Sequence, residues 1–236
     1  MILEDGLSRI GINLKQGGLV QTGPLTGAAV AWPVSAFVGG KRCMENLQPV
    51  FEKIWKMARP YLQTRNNESH TRIAVAFAKA LLQAEGGNED IVIPAVILHD
   101  VGWSRVPETL HLQAFGPRAT MPEVNRIHEE AGAEIATAIL QAVGYPSEKT
   151  EEIAAIIEGH DSRPKGRTLN DTIVKDADKL WRYSEDGVSV NQARFDFSRE
   201  AICSRLERMV DEWFLTPTGR SIALQELSRR RASGSA

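Results

Sequence analysis

Apolar positions along most of this chain recur every three or four residues, the spacing that gathers them on one face of a helix. NLQPVFEKIWKMARPYL carries Val50, Ile54 and Met57 at that spacing, with Pro60 as its expected end. NNESHTRIAVAFAKALLQAEGG predicts a second helix, from a polar start near Asn67 to a Gly-Gly stop, with Ile73, Ala74, Phe77 and Leu81 as its stripe. His70 lies on that stripe and is expected to face inward. MPEVNRIHEEAGAEIATAILQAVGYP predicts a long helix with Val124, His128, Ala131 and Ile135 on one side, closed by Gly144 and Pro146. In PSEKTEEIAAIIEGH, Ser147 is the expected N-cap, acidic residues fill the first turn, and the stripe Ile153, Ile156 and Ile157 runs on to His160. DTIVKDADKLWRY aligns Val174, Asp178 and Trp181, and two more amphipathic segments are expected from about Asn191 to Phe214 and from about Gly219 to Arg230.

One run departs from this pattern. NEDIVIPAVILHDVGW is apolar without interruption and could be a buried strand by periodicity alone. Asp90 as a cap and Pro94 in a first turn favour a short helix. Residues 1–42 are rich in Gly, Thr, Ala and Val, poor in charge and without a period, and read as an irregular extension. Residues 43–236 read as a helical body, so the expected class is all-α.

Composition narrows the partners. With 236 residues and 42% hydrophobic content, one large core is the simplest arrangement. A net charge of -2 gives no footprint for a nucleic-acid duplex or an anionic membrane, which favours a small soluble partner. Cys43 and Cys203 form no CxxC pair, so neither a disulfide framework nor a thiolate zinc site is indicated. No secretory signal or membrane span is evident, and a cytoplasmic setting fits. A homo-oligomer is left open.

The chemistry lies in the histidines. Of five, His70, His99, His128 and His160 sit on or at the ends of apolar helical faces. One such residue is usually a hydrogen-bonded core histidine. Four sharing an interior with Asp100 and either Asp176 or Asp178 demand charge compensation, which a cation supplies. Imidazole and carboxylate without thiolate suit iron, manganese, zinc or similar ions, with magnesium, cobalt and nickel also admissible. Six ligands are about right for two divalent metals sharing a carboxylate, a few ångströms apart.

The ordered set His70, His99-Asp100, His128, His160 and Asp178 resembles the HD-domain superfamily of metal-dependent phosphohydrolases, in the subgroup with two additional histidines. AVILHDVGW, IHEEAGAEIA and IVKDADKLWRY carry the resemblance, which covers about residues 66–185. It implies a helical bundle with the metal site in its core. By position it implies that His70, His99 and Asp178 hold one metal, that His128 and His160 hold the other, and that Asp100 bridges them. Asp100, His128 and His160 are then the candidate catalytic residues. Asp178 is preferred to Asp176 because the family's last ligand usually precedes a basic or apolar residue and a Leu, as in ADKL.

Arg163, Lys165, Arg105 and Lys179 lie close in sequence to these positions and are the candidates for binding a small phosphorylated molecule. Glu129 and Glu158 are candidates for orienting imidazoles. Gly144-Tyr145-Pro146 reads as a helix stop, Asp161 as a cap or turn residue and His111 as ordinary surface. The expected reaction is hydrolysis of a phosphomonoester or phosphodiester by a metal-activated water. A di-iron oxygenase cleaving a C-C or C-P bond is the alternative, and a metal-stabilised binding module the third reading.

Overall fold

Ten α-helices and no strand are found among the described residues of the computed structural model, which are Met44 and residues 46–114, 120–121 and 123–233. The expected extension over 1–42 lies outside the described residues. The helices are α1 (Pro49–Ala58), α2 (Asn67–Glu85), α3 (Glu89–Leu98), α4 (Glu108–Ala114), α5 (Glu123–Ala142), α6 (Ser147–Ile157), α7 (Leu169–Leu180), α8 (Glu185–Phe195), α9 (Arg199–Trp213) and α10 (Pro217–Ala232). The chain is therefore all-α, as its periodicity predicts.

The uninterrupted apolar run becomes α3, and every residue from Ile91 to Asp100 is buried. It packs against α1, α2, α6 and α7, so no face is left for polar residues and the amphipathic signal vanishes. Two expectations here need correction. The cap is Asn88, whose side chain accepts the Asp90 N–H at 3.0 Å, and Pro94 sits mid-helix rather than in the first turn. A mid-helix proline cannot donate to the carbonyl four residues back. That carbonyl belongs to Asp90, and the Tyr145 hydroxyl donates to it at 2.6 Å. The tyrosine of the Gly-Tyr-Pro stop thus repairs the ladder of a neighbouring helix. At the next junction, Pro146 is the boundary residue and Ser147 is the first helical one, not the cap.

Smaller departures follow from local chemistry. Met57 is exposed, and α1 buries Phe51, Ile54, Trp55 and Ala58 instead. α4 forms inside the segment expected to be loop. The single helix expected from about Asn191 to Phe214 is two, because Asp196 adopts φ 56° and Ser198 then caps α9 through the Ala201 N–H.

The last helix is bound to the middle of the chain. The buried Asp176 carboxylate on α7 accepts the Leu215 and Thr216 N–H groups at 2.9 Å each and the Thr216 hydroxyl at 2.7 Å. It offsets the unpaired amides at the start of α10 from across the core.

Candidate metal centre

Five helices deliver side chains to one place. His70 comes from the first turns of α2, His128 from the inner face of α5 and Asp178 from the last turns of α7. His99 caps the end of α3 and is followed by Asp100, and His160 lies three residues past the end of α6 and is followed by Asp161. Each of these two imidazoles points Nδ1 at the carbonyl three residues back, His99 at Val96 (2.7 Å) and His160 at Ile157 (2.8 Å). A carbonyl only accepts, so Nδ1 carries a proton and Nε2 is the nitrogen turned inward. The short 3-10 turn Val101–Arg105 then lies hard against α5. A Cβ on Gly102 would stand 1.9 Å from the His128 carbonyl oxygen, so only glycine lets these segments meet.

The six residues of the ordered set converge. His70 Nε2 lies 2.7 Å from His99 Nε2 and 3.2 Å from Asp178 Oδ1. His128 Nε2 lies 3.3 Å from His160 Nε2. Asp100 stands between the groups. Its Oδ2 faces His70 at 3.6 Å and His99 at 3.7 Å, and its Oδ1 faces His160 at 3.7 Å and His128 at 4.0 Å. The two triplets His70/His99/Asp178 and His99/Asp100/His160 each keep one ligand atom per residue within 4.8 Å, as does His128/His160/Asp161. Nitrogen lone pairs and carboxylate oxygens crowded this tightly in the interior fit cations, and each set could hold one. Asp176, committed to α10, does not take part.

Asp161 is the member that sequence reasoning missed. Its Oδ2 lies 3.6 Å from His128 Nε2 and 4.0 Å from His160 Nε2. Buried charges fix the loop that carries it. Glu129, fully buried, accepts the Asp161 and Ser162 N–H groups at 2.9 and 2.8 Å and is paired with Arg126 at 3.0 Å. The Lys175 ammonium, also fully buried, donates to the carbonyls of Gly159, His160 (2.9 Å) and Arg163 (3.0 Å). Glu129 therefore holds a backbone and not an imidazole, and Glu158 is exposed. Both depart from expectation. The available signal was that His160-Asp161 repeats the helix-end placement of His99-Asp100.

Burial and mutual charge set the electrostatics of the cluster. Burial pulls the His70 imidazole down and takes His128 to about 3. Burial would lower His160 as well, but the Asp100 and Asp161 carboxylates outweigh it and raise it to about 9. His99 is raised in the same way by Asp100 and Asp178. Against their own burial, Asp100 and Asp178 are held well below the usual carboxylate range, Asp100 by the histidines and Asp178 by Arg182 and the histidines. The upward pull on His160 and the downward pull on Asp100 are two sides of one charge interaction.

Trp103, the last residue of AVILHDVGW, ties the centre to its mouth. Its Nε1–H donates to Asp100 Oδ1 at 3.0 Å, its ring stacks on His128 with centroids 4.1 Å apart, and the Arg65 guanidinium lies 3.6 Å from the ring centroid. His128 and Arg65 cannot share one face at those distances, so they lie on opposite faces of the indole. His111 meets the same ring edge-on at 5.2 Å and is buried, not ordinary surface.

A chamber of about 50 Å3 opens beside the cluster, lined by His70, Asp100, Asp161 and Asp178 together with Arg65, Arg194 and Arg182, the last paired with Asp178 at 3.6 Å. None of the four cations expected from sequence lines it. Arg163 is spent on the Asp171 carboxylate (3.1 Å) and the Ala155 carbonyl (2.9 Å), Lys165 and Arg105 are exposed elsewhere, and Lys179 lies outside the chamber wall. Arg65 and Arg194 come from segments distant from the quoted motifs, whereas Arg182 stands four residues past Asp178 in IVKDADKLWRY.

No helix among the described residues is long and apolar enough to cross a membrane. No curated protein and no solved structure matches the chain. Residues 67–183 match the family model of the HD domain, a stretch that runs from the start of α2 to just past α7 and contains every histidine and aspartate of the cluster. With an all-helical body and this grouping of His and Asp side chains, residues 67–183 of the chain form an HD domain.

Proposed function

We propose that the chain is a metal-dependent phosphohydrolase that cleaves a phosphoester with water at this centre. The observation that carries the reading is the two-sided use of Asp100, whose oxygens face separate groups of imidazoles. In this reading His70, His99, Asp100 and Asp178 hold one cation, and His128, His160, Asp100 and Asp161 hold another. Bound cations there would lower the pKa of a water and offset the charge that gathers on the phosphoryl oxygens. The chain's own groups do the rest. Trp103 fixes the Asp100 carboxylate through its N–H, Val96 and Ile157 fix two imidazoles through their carbonyl oxygens, and the arginines of the chamber hold the anionic substrate in place. The ester P–O bond breaks as the water oxygen bonds to phosphorus, and the alcohol departs with the proton that the water gives up.

Three guanidinium groups beside the cluster favour an anion over a neutral polyol as substrate. The test is turnover by chelator-stripped protein reloaded with manganese, iron, cobalt or magnesium and offered a panel of phosphoesters. Metal-dependent phosphate release supports hydrolysis. Its absence across the panel, with consumption of dioxygen by the iron-loaded chain instead, would replace it with oxygenase chemistry.

A further inference from the structure

The imidazoles of the cluster are not all held in the same way. Val96 and Ile157 lie in the last turns of α3 and α6, where the final carbonyls of a helix have no helical N–H to bond, and they accept the Nδ1–H of His99 and His160. His128 stands inside α5, where each carbonyl is taken by the N–H four residues further on. Its side chain is fully buried, yet Nδ1 has no hydrogen-bond partner among the described residues. A metal-binding histidine ordinarily owes its ring orientation to such a partner. Something else must keep this ring in place.

Trp103 is placed to do so. Its indole lies almost parallel to the His128 ring, with 16° between the planes and 4.1 Å between the centroids. Rotation of the imidazole about its Cβ–Cγ bond would drive an edge into the indole face, so the stack fixes the plane of the ring where no hydrogen bond does. The indole is fixed in turn from its other sides. Nε1–H donates to Asp100 Oδ1 at 3.0 Å, the Arg65 guanidinium covers the far face, His111 meets the edge, and Gly102, just before it, lies too close to α5 to admit a side chain. The oxygen that Trp103 holds is the one facing His160 and His128, whereas Asp100 Oδ2 faces His70 and His99. Both contacts fall on the same half of the centre.

Resting on the two-cation reading of this centre, we infer that Trp103 is the positioning residue of the second cation, the one assigned to His128, His160, Asp100 and Asp161: its ring face sets the plane of His128 and its N–H aims Asp100 Oδ1. His70, His99 and Asp178 are placed by α2, α3 and α7, so the first cation does not depend on it. Substitution separates the two contacts. Trp103→Phe keeps an aromatic face for His128 and loses the N–H, while Trp103→Leu loses both.

Manganese is titrated calorimetrically into the chelator-stripped full chain and into both variants, and the bound metal is read by electron paramagnetic resonance, where two ions sharing a carboxylate are spin-coupled and a lone ion is not. The unaltered chain is expected to take two coupled ions. Trp103→Leu should weaken the second by about ten- to a hundredfold, hold the first as tightly as before, and give the lone-ion spectrum at a manganese concentration that fills both sites in the unaltered chain. Adding His70→Ala should then remove that remaining ion, which identifies it as the first. Trp103→Phe should recover part of the loss. Equal weakening of both ions, an unweakened second ion, or Trp103→Phe no better than Trp103→Leu would overturn the inference and keep the two-cation reading. Should Trp103→Leu fold poorly, Trp103→Phe decides alone: weakening of the second ion only supports the role, and weakening of both or of neither overturns it. An unaltered chain that binds a single ion overturns the two-cation reading, and the inference with it.

Discussion

The two halves of the centre are built differently. His70, His99 and Asp178 are carried by the body or the very end of a helix, and all three side chains are buried. Packing of α2, α3 and α7 sets their positions, with Arg182 paired to Asp178 at 3.6 Å. The other half depends on the segment after α6, where the Asp161 side chain keeps 28% of its surface exposed and the backbone is held by Glu129 and Lys175. The first half inherits its geometry from the hydrophobic core; the second half takes it from buried charge pairs. One is preformed by burial, and the other fails if a single partner is removed.

Asp100 belongs to both halves, and its loss has the largest expected effect. Asp100→Ala should remove metal from both sets and cut metal-dependent turnover by about a thousandfold or more, read by metal content and kcat/KM. Lys175→Met is next. It leaves three carbonyls without their buried donor and should cost about 3 kcal/mol, seen as a midpoint lower by several degrees in a thermal melt. Glu129→Gln sharpens the contrast. It should weaken only the His128/His160/Asp161 set, by about ten- to a hundredfold in metal affinity, while the His70/His99/Asp178 set keeps its ion. Equal losses in both sets would erase the distinction.

The smallest effect is in pH. His160, raised to about 9, holds a proton at neutral pH in the metal-free chain, and a cation needs that nitrogen's lone pair. Metal must displace the proton, so the affinity of its set should rise as pH climbs, by up to about tenfold per unit, and level off above pH 9. Proton release on adding metal at pH 7 in weak buffer checks the sign. An affinity that falls with rising pH over that window contradicts it.

The same contrast explains what the sequence made legible. The amphipathic helices that carry His70, His128 and Asp178 announce themselves by period, and the core face predicts which way each side chain turns. α3 does not, because a helix buried on every side has no polar face to mark its turns. The α8/α9 break escapes notice because it rests on one aspartate in a left-handed conformation. Asp161 reads as a turn residue in the sequence because its partners, Glu129 and Lys175, act on the backbone around it from other helices. Arg65 and Arg194 escape for a different reason, since they reach the chamber only once α2, α7 and α8 are packed, whereas Arg182 lies one turn past Asp178 in a quoted motif.

The tether from Asp176 to the start of α10 sets the smallest piece of this protein that can stand by itself. A fragment trimmed to the family boundary at residue 183 would strip that carboxylate of Leu215 and Thr216, and would take the Leu206 carbonyl from the Tyr183 hydroxyl. The exposed wound would open two residues from Asp178. Expression truncated at that limit should yield aggregated material, whereas a chain ending beyond Ala232 keeps the clasp closed.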